Sequence, residues 1–216
     1  MSLFSQIRFL TSAVGPGGFP PEDCPEIAFA GRSNVGKSSA INALANRKRL
    51  AFASKTPGRT QAINFFQAGP AARLVDLPGY GYAAVPRAMQ AQWDALVGGY
   101  LGRRGCLAAV VVLMDIRHPL KDQDLHLFEW LRPLEAKRLV LLTKSDKLSR
   151  SAAMAARTKV VAALRARAIQ AEVLLFSAPK KLGVEEAKGL LQAWLEQAAQ
   201  NKRPPAKGNA TGGEEP

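Results

Sequence analysis

From residue 26 onward, short apolar runs alternate with longer stretches in which apolar residues recur every three or four positions. Glu26–Ala30 predicts a strand, and a glycine-containing turn leads from it into a helix over about Lys37–Asn46. Residues 47–61 are basic and polar, contain Pro57-Gly58, and predict a long loop. Ala62–Gln67 and Ala72–Val75 predict two strands around Ala68-Gly69-Pro70, close enough in sequence to form an antiparallel hairpin. Arg87 to about Leu101 predicts a helix, Leu107–Met114 a strand, and Asp122–Leu131 a helix stopped by Pro133. Leu139–Leu142 predicts a further strand, residues 150–168 an Ala-rich basic helix, Ala171–Phe176 the last strand and Val184–Ala199 an amphipathic helix.

Strands that alternate with helices build a parallel sheet covered on both faces. The expected fold is therefore α/β, a three-layer α/β/α arrangement around a mostly parallel six-stranded sheet. Residues 12–25 are rich in Gly and Pro and read as loop, so residues 1–24 are taken as an N-terminal extension. Residues 25–200 form the expected domain, and residues 201–216 have too few apolar side chains to fold, so a disordered tail is expected.

The longest apolar run, Cys106 to Met114, is far shorter than the ~20 residues a membrane helix needs, and reads as a strand buried on both faces. The N-terminal stretch MSLFSQIRFLTSAVGPG lacks the long apolar core of a secretory signal, so a cytoplasmic protein without a membrane span is expected. Two cysteines, Cys24 and Cys106, make no disulfide framework and no metal-ligand spacing. Thirty Lys and Arg against 17 Asp and Glu give a net charge of +13, a surface that favours polyanions and nucleic acid above others.

In an open α/β sheet the chemistry lies just beyond the carboxyl ends of the strands. After the first predicted strand comes Gly31-Arg32-Ser33-Asn34-Val35-Gly36-Lys37-Ser38, a full match to G-x-x-x-x-G-K-S. Its glycines let the loop wrap so that N–H groups face phosphate oxygens, and the following helix adds its partial positive charge. Lys37 is placed to reach the β- and γ-phosphates, and the Ser38 hydroxyl to bind Mg²⁺. After the third strand comes Asp76-Leu77-Pro78-Gly79. Asp76 can hold Mg²⁺ through water, and the Gly79 N–H can contact the γ-phosphate and sense its loss. Alone, D-x-x-G mostly marks a turn; its position beside the phosphate loop gives it weight.

After the fifth strand comes Thr143-Lys144-Ser145-Asp146. The Asp146 carboxylate can accept from the N1–H and N2–H₂ edge of guanine and has no match on adenine. Lys144 can lay its aliphatic stem over the base. In isolation this tetrapeptide would read as a helix cap. A backbone N–H of Phe176-Ser177-Ala178, after the last strand, can donate to guanine O6, a weak signal by itself. In the loop 55–60, Thr56 and Thr60 are both able to add a hydroxyl to Mg²⁺ once a γ-phosphate is present. Together the loops imply a protein that binds GTP or GDP with Mg²⁺.

The chain resembles the EngB family of bacterial GTPases, also called YihA or YsxC, over about residues 5–200. The resemblance rests on GRSNVGKSS at 31–39, KTPGRTQAINFF at 55–66, DLPGYGYA at 76–83, TKSDK at 143–147 and FSAPKKLG at 176–183. It implies a Ras-like fold with one antiparallel edge strand. It also implies GTP contacts at 31–38, at Gly58, Arg59, Thr60, Gln61 and Ala62, at 76–79, at 143–146 and at 176–178, with Mg²⁺ held by Ser38 and Thr60. Lys37, Thr60 and Gly79 then become the γ-phosphate contacts, and no general base is assigned. The family is implicated in large ribosomal subunit assembly and in cell division and septation, which makes ribosomal RNA or the pre-50S particle the expected partner of a monomer. Ser145 stands where many members carry Ala.

Two mechanistic expectations follow. Tyr80 occupies the place where Ras-like enzymes put a water-orienting Gln, so slow intrinsic hydrolysis is expected. Asn34 matches an Asn that helps hold K⁺ in related potassium-activated GTPases; an Asn that merely tolerates a tight turn explains it equally. Arg47, Lys48, Arg49, Lys55 and Arg59 crowd the first switch loop, Arg157, Lys159, Arg165 and Arg167 are read onto one helix, and Lys180 and Lys181 sit beside the guanine loop. These suit RNA phosphates. The rival reading is a binding module that responds to GTP and GDP with negligible turnover and acts on a cell-division protein.

Overall fold

The computed structural model describes residues 3–51, 62–80 and 87–201. Among them are seven strands and five α-helices, in the order β1 (Ile7–Ala13), β2 (Glu26–Gly31), α1 (Lys37–Leu44), β3 (Ile63–Ala68), β4 (Ala72–Asp76), α2 (Arg87–Arg103), β5 (Leu107–Asp115), α3 (Asp122–Leu131), β6 (Lys137–Thr143), α4 (Arg150–Arg165), β7 (Glu172–Leu175) and α5 (Val184–Asn201). The strands form one sheet in the order β1-β3-β4-β2-β5-β6-β7. Pairs from β4 through β7 are parallel, and β3 runs antiparallel to both neighbours.

The sheet thus has seven strands where the sequence predicts six, and the antiparallel strand is not its edge. The extra strand, β1, comes from the segment read as an extension and pairs Phe9 with Phe66 and Ala13 with Ile63. Its signal is hidden for two physical reasons. Only its end residues Ile7 and Ala13 are buried, while Phe9 and Leu10 are 55% and 41% exposed, so no apolar alternation marks it. A register shift between Phe9 and Thr11 breaks the two-residue period as well. Residues 202–216, expected to be a tail, lie outside the described residues.

The interior strands are buried on both faces, and their alternate residues feed two cores. Ala28 and Ala30 of β2 with Val110, Val112 and Met114 of β5 pack towards α2, α3 and α4. Ile27 and Phe29 with Val111 and Leu113 pack towards α1 and α5, where Ile41, Leu44, Leu191 and Leu195 meet them. The layers are those expected: helices on both sides of a sheet whose central strand is β2.

At the amino-terminal end of the sheet a charge cluster is buried. Glu26, fully buried, accepts from the Tyr100 hydroxyl at 2.9 Å and from Arg104 Nη2 at 2.6 Å, with Arg73 Nη1 at 3.7 Å. Arg104 also donates to the carbonyl of Pro20 and Arg73 to that of Pro21, which pins the chain entering β2. Burial first, then the Glu26 charge, pushes the Tyr100 phenol well above its usual range, so it stays a donor. Both cysteines are buried, and neither is in a disulfide. Burial pushes the Cys24 thiol up to about 11, which makes it unreactive.

Candidate functional site

The loop after β2 turns tightly before α1. Asn34 and Gly36 have φ of 61° and 102°, and at Gly36 the left-handed conformation is what a glycine supplies without strain. Gly31 is needed for another reason: a Cβ there would lie 2.8 Å from Val35 Cγ1 and 3.1 Å from the Leu113 carbonyl. The loop is therefore shaped by close backbone packing against β5, which leaves a concave cradle at the start of α1. Lys37 opens that helix and pairs with Asp76, a carboxylate only 4% exposed at the end of β4. Ser38 follows in the first turn.

The Asp76–Gly79 loop lies directly on this cradle. The Tyr80 N–H donates to the Gly31 carbonyl at 3.3 Å, and the Ser33 N–H donates to the Tyr80 carbonyl at 2.9 Å. A Cβ on Gly79 would meet Ser33 Oγ at 3.1 Å. Pro78 accepts from the Trp93 indole at 2.9 Å. Leu77 is buried and hydrogen-bonds back to Phe29.

Thr143 ends β6 and joins two loops. Its hydroxyl, 2.7 Å from the Val35 carbonyl and 3.1 Å from that of Met114, ties the strand end to the cradle. Lys144, at φ 58°, reaches the Asn34 carbonyl at 2.9 Å and Asp115 at 3.0 Å. Asp146 accepts from the Ser177 hydroxyl at 2.6 Å. That hydrogen bond is the main reason its carboxyl lies below the usual range, with Lys147 and Lys180 adding to it. Ser145 is buried, donates its N–H to the Phe176 carbonyl, and its hydroxyl has no partner among the described residues. The loop carrying Phe176, Ser177 and Ala178 closes on itself through a Ser177–Leu182 bridge.

The described loops thus meet at the carboxyl end of β2, β4, β6 and β7. Of the residues around the first switch, Ala62 is described and stands just before β3, while Gly58, Arg59, Thr60 and Gln61 lie outside the described residues, with Thr56 and Lys55. Arg167 lies beyond the end of α4, and Arg157 points inward to the Val173 carbonyl at 2.7 Å, so the basic face of that helix is smaller than the sequence suggests. Lys159 and Arg165 are exposed on α4, and Arg167 is exposed just after it.

Two side chains were not legible as site residues, and a third, Ser177, acts through its hydroxyl where the sequence points only to its backbone. Asp115 ends β5 and holds Arg117 and Lys144. The Arg117 guanidinium, then Lys144, keeps it well below the carboxylate range. Its place just beyond a strand was the available signal. Asp124 of α3 receives the Tyr80 hydroxyl at 3.0 Å and lies 3.4 Å from Arg32 Nε. The Ser177 side chain, rather than only a backbone N–H of its loop, touches Asp146.

Among the described residues no three His, Cys, Asp or Glu side chains cluster as metal ligands. A divalent ion here would need hydroxyl, carboxylate and phosphate oxygens together. Ser38 and the buried Asp76 offer the first two, and a hard cation accepts such a set. The fit is good.

The family model described as "50S ribosome-binding GTPase" matches residues 26–144. The chain is 50% identical over 218 residues to the probable GTP-binding protein EngB of Dechloromonas aromatica (strain RCB), covering 97% of each chain. It is 52% identical over 207 residues to the probable GTP-binding protein EngB of Azoarcus sp. (strain BH72), covering 95% of this chain and 99% of that one. A crystal structure of a probable GTP-binding protein engB shares the fold, with a TM-score of 0.65 at 20% identity over 80% of this chain and 99% of the other. With its P-loop, its buried Asp76 and its Asp146–Ser177 pair in that company, the chain belongs to the EngB family of P-loop GTPases, enzymes that hydrolyse GTP.

Proposed function

We propose that this GTPase is a Mg²⁺-dependent switch whose GTP form binds large-subunit ribosomal RNA during assembly of the pre-50S particle. The observation that carries the proposal is the placing of charge. Arg47, Lys48 and Arg49 are exposed just after α1, Lys180 and Lys181 are exposed beside Asp146, and the chain as a whole carries +13. Cations that flank loops whose shape depends on the nucleotide can couple RNA phosphate binding to that nucleotide. The family model's own description, a ribosome-binding GTPase, supports the same partner. A role in cell division and septation, which rests on the family resemblance, belongs to the same proposal, together with a cytoplasmic location and a monomeric state. No helix among the described residues is long and apolar enough to cross a membrane.

In this reading residues 31–38 wrap the phosphates, Lys37 leaves Asp76 to meet the β- and γ-phosphates, and Gly79 senses the γ-phosphate. Asp146 reads the guanine edge, with Thr143, Lys144, Ser145 and residues 176–178 shaping the base site. Ser38 and Thr60 would hold Mg²⁺ and Asp76 would hold it through water. The ion supplies charge neutralisation on the phosphates. The Tyr80 side chain is buried and engaged with Asp124, so it offers no water-orienting group, and slow turnover without a partner follows. Asn34 stands at φ 61°, which by itself accounts for an Asn there; a K⁺ role requires faster hydrolysis in KCl than in NaCl.

Co-sedimentation with ribosomal subunits tests the proposal. Binding to 50S or pre-50S particles with a non-hydrolysable GTP analogue, weak with GDP and steeply lowered by salt, is the expected result. Salt-insensitive binding to a division protein, with none to the particles, would replace it with the binding-module reading.

A further inference from the structure

Asp124 is fully buried, yet its helix needs only part of it. One oxygen, Oδ2, accepts from the Lys121 N–H at 3.0 Å and caps the start of α3. An exposed residue can do that. The other oxygen, Oδ1, faces two loops of the nucleotide site: it takes the Tyr80 hydroxyl at 3.0 Å and lies 3.4 Å from Arg32 Nε. Arg32 itself is held from the far side, donating to the His118 carbonyl at 2.7 Å. A carboxylate is costly to bury unless its partners earn its place, and these partners come from the P-loop and from the residue after Gly79.

The backbone around Tyr80 gives the clamp its direction. Residue 80 is bonded on both sides to the P-loop, through Gly31 and Ser33, and Gly79 abuts Ser33. Lys37 is engaged with Asp76 at the same time. A γ-phosphate seated on the P-loop needs the Gly79 N–H turned towards it and Lys37 released. Residues 79 and 80 must then lift from the P-loop. The Tyr80 side chain cannot lift with them and keep its hydrogen bond, because Asp124 is fixed in α3.

We propose that Asp124 is a positioning residue for the GTPase cycle, one that clamps Tyr80 and so holds the γ-phosphate-sensing loop in the arrangement that suits GDP. The proposal rests on the reading of Gly79 as the γ-phosphate contact. A clamp made in one state and lost in the other shifts the equilibrium by its differential strength. For a hydrogen bond to a charged acceptor that is about tenfold in relative affinity.

The test uses the full chain and two conservative variants, Tyr80→Phe and Asp124→Asn. Dissociation constants for GDP and GTPγS with Mg²⁺ are measured for each, with tryptophan emission as a second readout. Trp93 is a natural reporter: its ring meets Tyr80 edge-on at 5.7 Å and its indole holds Pro78. In Tyr80→Phe the ratio of GTPγS to GDP dissociation constants should fall about tenfold, and in Asp124→Asn it should fall in the same direction. The emission of the GDP form should move towards that of the GTPγS form. A purely structural role would weaken both nucleotides together. A ratio within about twofold of the parent, or one moved towards GDP, overturns the clamp. Failure of the parent protein to bind either nucleotide overturns the site reading itself, and the clamp with it.

Discussion

Gly183→Ala adds one methyl group at the most crowded point of the guanine-side loop. Gly183 has φ of 71°, a conformation that costs an alanine about 1–2 kcal/mol. Its new Cβ would lie 2.1 Å from the Leu175 carbonyl oxygen and 3.3 Å from the Leu175 carbonyl carbon. Both are backbone atoms at the end of β7, so no side-chain rotation relieves the overlap. Shifting the loop adds about 1–3 kcal/mol of overpacking. The total, roughly 2–5 kcal/mol, lowers Tm by about 5–15 °C for a chain of this size. The damage has a direction. Leu182, next door, makes both hydrogen bonds of the bridge to Ser177, and Ser177 holds Asp146. The P-loop is built on β2 and α1 and is not displaced. Competition against a fluorescent GDP analogue separates the two halves. GDP should lose at least about tenfold in affinity, while tripolyphosphate, which has no base, should stay within about twofold. An unchanged Tm with unchanged GDP affinity would refute the reasoning, as would equal loss for both competitors.

Three further outcomes are expected. Asp146→Asn should weaken GTP binding and favour xanthine nucleotides, read by titration with both; retained guanine preference would show that another group reads the base. Glu26→Ala leaves Arg104, Arg73 and the Tyr100 hydroxyl without their buried acceptor and should cost about 3–5 kcal/mol in urea unfolding. Ser145→Ala removes a buried hydroxyl that has no partner among the described residues, so Tm of the nucleotide-free protein should hold or rise.

What the sequence made legible was local. The Gly31–Ser38 loop, Asp76–Gly79 and Thr143–Asp146 are each contiguous, and each sits where a strand hands over to a turn, so the motifs, their order and their places after strands locate them together. The interior strands were legible because burial on both faces leaves unbroken apolar runs such as Leu107–Met114. β1 was not, since its middle residues face solvent and its bulge erases the alternation. Side-chain pairings were also hidden. Tyr80 and Asp124 are 44 residues apart, and Arg104 and Glu26 are 78 apart. Nothing in either local pattern names its partner; the sheet order does.

The buried Glu26 cluster gives α2 a fulcrum. Tyr100, in the last turn of that helix, and Arg104, just past its end, are locked to the same carboxylate at the far end of the sheet from the phosphates. A helix of 17 residues fixed at one end behaves as a lever: any swing imposed at its first turns dies away towards Arg103. A macromolecule that reads the nucleotide through α2 must therefore press on the start of that helix. One that grips α2 only near Arg103 would hold it equally in either state, an anchorage blind to the nucleotide.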